Sequence, residues 1–263
     1  MELPVTPAVT TLYELADVDA CASLMGRLAV EKAITSRPLD GAEKLQSMCL
    51  DLMRAYRNVC PAHAKTTQSL LLPESLKLLP LYVLSAMKSP LLSPSLDVRA
   101  DDRALLSFVN ATASCARAIS LAHPRLFQLF PPAPPDPLPL TTQSVLPHGA
   151  YLVDDGLALT LWLGASLPSE WLAGLFGWPS LDGVDLGAIR LLPPASGAVA
   201  AEGHARLEAL RAQRPWGWMP LLIVRQGGTE GPFLFALVED QTKHMMSYTE
   251  FLLHCHKQIV GKM

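Results

Sequence analysis

Charge is in short supply in this chain: Asp, Glu, Lys and Arg make up 17% of its 263 residues, against about 25% in typical soluble domains. Two readings of that deficit stay open. Either part of the surface is apolar and meets a partner, or a proline- and alanine-rich composition has displaced the charges. The net charge is only −3 and no block of Lys and Arg occurs, so the electrostatic footprint of a nucleic-acid binder is missing. Cysteine is sparse as well. Cys21, Cys49, Cys60, Cys115 and Cys255 are odd in number and form no C-x-x-C pair, which argues against a zinc ribbon and a disulfide framework and fits a reducing compartment. No stretch is long and apolar enough to predict a membrane span. The opening Met1-Glu2-Leu3-Pro4-Val5-Thr6-Pro7 lacks the basic region and apolar run of a secretory signal.

What is abundant is apolar residue, at 50%, enough to bury a sizeable core. The length predicts two units, at roughly 100–200 residues per domain. The first half has helical periodicity. Val18, Cys21, Met25 and Leu28 predict an amphipathic helix over 17–35, and Leu45, Met48, Cys49, Leu52, Tyr56 and Val59 predict a second over 40–59. Leu70 to Leu92 is the most apolar stretch. Positions 76, 79, 83 and 87 form one stripe and 78, 81, 82 and 84 fill most of the remaining circumference, the pattern of a helix enclosed by others. Pro80 predicts a kink or a restart within it, because proline has no N–H to donate. Ser93-Pro94-Ser95 reads as a turn. Asp101 and Asp102 are expected to cap a fourth helix from Arg103, with Leu105, Phe108, Val109, Thr112, Cys115 and Ile119 as its inner stripe. Four such helices with short connections predict a bundle over 1–128.

Seven prolines between Pro131 and Pro147 mark the clearest shift in composition. They predict a stiff connector, placed at 129–139, that continues neither helix nor central strand. Beyond it, over 140–263, the period becomes strand-like. Runs at 150–153 and 157–163 flank the turn signal Asp154-Asp155-Gly156. Helices are expected over 168–176, 198–214 and 247–260, the last with Tyr248, Phe251, Leu252, Cys255 and Ile259 inward, and further strands over 221–226 and 233–239. The fold class is therefore α+β: an N-terminal all-α bundle followed by a mixed β-sheet flanked by helices.

Catalytic motifs are missing: no G-x-S-x-G elbow, phosphate loop or H-E-x-x-H pair occurs. Gly227-Gly228-x-x-Gly231 joins two expected strands and does not open a helix, so it reads as a hairpin loop. His254-Cys255-His256 is metal-like in composition, yet on a helix neighbouring and alternate side chains diverge too far to close around one ion. The expectation is a core Cys255 between partly solvated histidines. Arg206, Arg211, Arg214 and Arg225 form a candidate surface for an acidic partner, with a merely solvated face as the alternative. Trp216-Gly217-Trp218 is either an exposed anchor pair or a cap on the sheet.

Taken in order, these stretches resemble one family, the cargo-selecting subunit of the COPII inner coat. The words that carry the resemblance are Leu72-Pro73-Glu74-Ser75-Leu76-Lys77-Leu78-Leu79-Pro80-Leu81-Tyr82 with Lys88-Ser89, Asp101-Asp102-Arg103-Ala104 and His123-Pro124-Arg125-Leu126. Later come Gly149 to Leu157 with Leu161-Trp162-Leu163-Gly164, Leu210-Arg211-Ala212-Gln213-Arg214, Ile223-Val224-Arg225-Gln226, Leu237-Val238-Glu239-Asp240, and Ser247-Tyr248 through His254-Cys255-His256-Lys257. The sister subunit, which activates the coat GTPase, shares the architecture, but the Leu-Lys-Leu-Leu-Pro-Leu-Tyr and Arg-Ala-Gln-Arg words are more similar to the cargo subunit.

The resemblance implies a helical domain followed by a gelsolin-like domain, without enzymatic activity. It covers roughly Thr11 to Lys257. The family's zinc finger, trunk and β-sandwich have no counterpart here, so the chain resembles a C-terminal part and no cofactor is expected in it. Implied partners are the GTPase-activating sister subunit, through the missing trunk, and cargo membrane-protein tails, without nucleic acid. Implied location is cytoplasmic, peripheral at endoplasmic reticulum exit sites and vesicles. The alternative function is an actin- or calcium-binding gelsolin-like protein using Asp154, Asp155 and Glu170 as oxygen ligands.

Overall fold

The computed structural model describes residues 6–59, 72–93, 98–214 and 217–260. In chain order its helices and strands begin with α1 (Val9–Glu14), α2 (Val18–Thr35), α3 (Pro38–Val59), α4 (Leu79–Lys88), α5 (Ala100–Thr112) and α6 (Cys115–Ala122). There follow β1 (Arg125–Phe130), β2 (Ala150–Asp154), β3 (Leu159–Leu163), α7 (Ser169–Phe176), α8 (Ala198–Arg211), β4 (Leu221–Arg225), α9 (Gly231–Phe235) and α10 (Tyr248–Val260). Two compact units result: a helical unit of Met1–His123 with Val238–Met263, and a sheet unit of Pro124–Leu237. The proline run therefore lies inside the sheet unit, and the last helix belongs to the helical unit.

In the helical unit, α2 starts where the Asp17 carboxylate accepts from the N–H groups of Asp19 and Ala20, satisfying donors that the first turn leaves open. The stripe of α3 is buried at Leu45, Cys49 and Met53. The Leu72–Leu92 stretch restarts at proline: a short 3-10 turn over Glu74–Leu76 precedes α4, and Pro80 occupies its first turn, where a missing N–H costs nothing. Leu76, Leu79, Val83 and Leu84 are at most 1% exposed, which makes α4 the buried axis, although Leu78 points outward at 39%. Residues 70 and 71 and part of the Ser93-Pro94-Ser95 turn lie outside the described residues.

The fourth expected helix differs from its reading. It breaks after Thr112 because Ser114 starts a new helix, its hydroxyl accepting from Arg117 N–H. The inward side of α5 carries Leu106 and Asn110, while Leu105 and Phe108 are 58% and 67% exposed. Asp101 and Asp102 sit in the first turn and not at the cap, and Asp102 pairs with Arg99 at 3.0 Å. α10 opens with a reciprocal cap: the Glu250 carboxylate accepts from Ser247 N–H at 2.8 Å, and Ser247 Oγ accepts from Glu250 N–H. Its Phe251, Cys255 and Ile259 enter the same core as α3 and α4.

The sheet runs β1-β2-β3-β4, antiparallel over the first two pairs and parallel between β3 and β4. The first strand was expected as the tail of the bundle and the start of the connector. Instead it pairs with β2, Arg125 opposite Asp154, and Phe127 and Leu129 share the face that enters the sheet core. Leu172, Leu175 and Phe176 of α7 and Leu207 and Leu210 of α8 pack with Phe127, Leu129, Leu152, Leu159 and Leu161. The strand expected over 233–239 is a correction. Residues 231–235 form α9, since Pro232 suits a first helical turn, and buried Phe233 stacks on Trp162 at 5.4 Å between ring centroids.

Candidate interaction site

The polar chemistry of the sheet unit converges on Asp154, the last residue of β2 and fully buried. Its Oδ2 accepts from Arg125 Nη2 and from Arg214 Nη2, each at 2.5 Å, and its Oδ1 accepts from Gly156 N–H at 3.0 Å. Sequence forces this meeting. Cross-strand register sets Arg125 beside Asp154, and Arg214 follows the end of α8. Two guanidiniums compensate the desolvated carboxylate, a geometry that a buried charge requires. Next to it, Asp155 Oδ1 accepts from Leu157 and Ala158 N–H, both at 2.8 Å. Burial pushes the Asp155 carboxyl up from its ordinary range, with those N–H groups opposing.

The four arginines expected as one surface are spread over separate tasks. Arg206 Nη2 donates to the carbonyls of Ala133 and Pro134, both at 3.0 Å, holding the proline run. Arg211 donates to Met219 O at 2.9 Å and pairs with Glu208. Arg214 is buried on Asp154, and Arg225 pairs with Asp182 at 2.5 Å. Between them, Gln213 accepts from Arg125 at 2.8 Å. The Arg211-Ala212-Gln213-Arg214 word thus ties the end of α8 to β1 and β2.

A second polar anchor, which periodicity could not reveal, lies in the helical unit. Lys88 ends α4 and is 4% exposed. Its ammonium donates to Val238 O at 2.7 Å and to Asp240 O at 2.6 Å. Burial pushes this amine down to about 8, partly opposed by Asp240 and Glu250. The Lys88-Ser89 word therefore grips the Leu237-Val238-Glu239-Asp240 word, 150 residues further along.

Among the described residues no group of three or more His, Cys, Asp and Glu side chains is arranged to hold a metal ion. Cys255 is in the helical core with His254 and His256 half-buried beside it. Asp154 and Asp155 spend their oxygens on the partners above, and Glu170 stands in the first turn of α7. No described helix is long and apolar enough to cross a membrane. What remains for a partner is exposed apolar surface, including Leu105, Phe108, Trp178, Leu222 and Trp218, the last 63% exposed. Trp216 lies outside the described residues.

Comparison with known proteins gives this arrangement a context. Residues 17–120 match the model of the Sec23/Sec24 helical domain. The chain is 31% identical to the protein transport protein SEC24 A of Arabidopsis thaliana over 97% of its own length and 26% of that relative. It is 29% identical to human Sec24C over 94% of its length and 23% of the relative. The crystal structure of the human COPII-coat protein Sec24c superposes with a TM-score of 0.85 at 27% identity, covering 97% of this chain and 33% of that one. The chain thus spans about a quarter of the length of these curated relatives.

Proposed function

We propose that the chain, whose residues 17–120 match the Sec23/Sec24 helical-domain model, serves as the helical and gelsolin-like part of a COPII cargo adaptor in transport from the endoplasmic reticulum to the Golgi. The observation that carries the reading is the superposition on the human COPII-coat protein over 97% of the chain, which includes both units. The role is structural and protein-binding, not enzymatic. Its partners are the GTPase-activating sister subunit of the inner coat and cargo membrane-protein tails, and its location is peripheral at endoplasmic reticulum exit sites. No cofactor is assigned to these residues.

The actin- or calcium-binding alternative draws no support from the relatives, and Asp154 is engaged by two arginines. Affinity recovery, from its own cells, of a tagged protein that joins these residues to the family's trunk tests the proposal. The sister subunit is expected in comparable amount, and repeated recovery of folded protein without it would overturn the assignment.

A further inference from the structure

The two edges of the sheet are treated differently. Outside β1, Leu138 N–H donates to Leu126 O at 2.7 Å, and Pro131, Pro132, Pro134, Pro135, Pro137 and Pro139 around it have no N–H to offer a further strand. Arg206 fastens this shield. At the opposite end the sheet stops at β4.

The ladder between β3 and β4 defines which groups of β4 remain. Leu159 N–H donates to Pro220 O and Gln226 N–H donates to Leu163 O, both at 2.9 Å. A parallel ladder alternates between these ends, so residues 222 and 224 face β3 while residues 221 and 223 face outward. Among the described residues, no hydrogen bond reaches the outward N–H and C=O groups of Leu221 and Ile223. Within Leu221-Leu222-Ile223-Val224 there is no charge, proline or bulge to guard the edge, the nearest being Pro220 before it and Arg225 after it. Leu222 is 52% exposed on the sheet face it shares with Thr160 and Val224, and Leu221 and Ile223 pack into the core on the other face.

We propose that the outer edge of β4 is a strand-acceptor site that binds an extended segment of a partner protein as a fifth strand. Four backbone groups at alternate residues recognise an extended main chain, which must be proline-free where it donates. The exposed Leu222 selects an apolar residue opposite it, and the uncharged run between Leu221 and Val224 disfavours a charged one. The site is thus specific for an alternating, uncharged, β-prone segment.

The test is amide hydrogen exchange on the full chain with an acetylated, amidated Thr-Val-Thr-Val-Thr-Val peptide as probe. Without peptide, the Leu222 and Val224 amides are protected and those of Leu221 and Ile223 are not. Millimolar peptide is expected to slow exchange at Leu221 and Ile223 about tenfold or more. The same peptide N-methylated at alternate residues leaves them unchanged, and Leu222→Lys abolishes the protection without touching the core. Should that variant fail to fold, the N-methylated peptide still carries the control. Protection already present in the free chain, protection that grows with the chain's own concentration, or no response to the peptide each overturns the proposal. Any of these results leaves recovery of the sister subunit, and so the coat assignment, untouched.

Discussion

Each unit buries a full charge, and the two do it in opposite ways. In the sheet unit Asp154 lies between two guanidiniums, so opposite charges offset the loss of water. In the helical unit the Lys88 ammonium meets two carbonyls and, among the described residues, no carboxylate within ion-pair distance. Dipoles compensate a desolvated charge less completely than counter-charges do, and the amine responds by giving up its proton more readily, at about 8. The lysine anchor is therefore sensitive to alkali.

Removing the central charge of the triad produces the largest effect. Asp154→Asn keeps the shape but leaves two guanidiniums facing a neutral amide, one of them 7% exposed, and should cost about 3–5 kcal/mol. The four described tryptophans, Trp162, Trp171, Trp178 and Trp218, fall in the sheet unit, and the fifth, Trp216, lies between the last two in sequence. Tryptophan fluorescence during urea unfolding thus reads that unit selectively. A loss below about 1 kcal/mol, the range of an exposed pair, would remove the distinction between the two anchors.

Lys88→Met should cost less near neutral pH, about 1–3 kcal/mol for two orphaned carbonyls, partly offset because no ammonium is then buried. Its pH dependence is the sharper probe. The folded chain releases this proton near 8 and the unfolded chain near 10.5, so between those values the unfolded state binds more protons and stability rises with pH. The rise approaches about 3 kcal/mol by the upper value, and the neutral amine still has two N–H groups for its two carbonyls. Circular-dichroism melts of wild type and Lys88→Met should diverge as pH climbs through 8 to 10.5. Parallel curves would show that Lys88 is not the desolvated group the geometry describes.

Much of this fold was legible, and the illegible parts share a cause. Period placed α2, α3, the core stripe of α4 and the inward face of α10, because each buries one regular stripe, whereas β2 and β3, buried on both faces, were legible as apolar runs on either side of a turn signal. It misplaced Leu105 and Phe108, because α5 is anchored through Leu106 and Asn110 and breaks at the Ser114 cap. It made a strand of 233–239, where a proline in the first turn and the stacking of Phe233 on Trp162 favour a helix. The words Lys88-Ser89, Leu237 to Asp240 and Arg211 to Arg214 were visible as words. Their purpose was not, since a lysine gripping carbonyls 150 residues away leaves no local pattern. Nor does a row of unpaired edge groups, whose existence depends on which strand ends the sheet.

The smallest effects compare packing in the two units through a helical glycine in each. Gly26 in α2 has no atom within 4 Å of where a Cβ would stand, and it borders a cavity of about 20 Å³ lined by Ala22, Val30 and Val83. Gly26→Ala should therefore stabilise by about 0.5–1 kcal/mol through the unfolded chain's lost freedom. Gly203 in α8 is the opposite case. Its Cβ would stand 2.8 Å from Leu175 Cδ1, and Leu175 is fully buried. The same gain in propensity then meets an overpacking cost of about 1–3 kcal/mol, so Gly203→Ala should be neutral to destabilising. Melts of both variants read the sign directly. Equal stabilisation at the two positions would mean that α8 packs against α7 no more tightly than α2 packs beside its cavity, and that the units differ in their buried charges but not in how closely their helices fit.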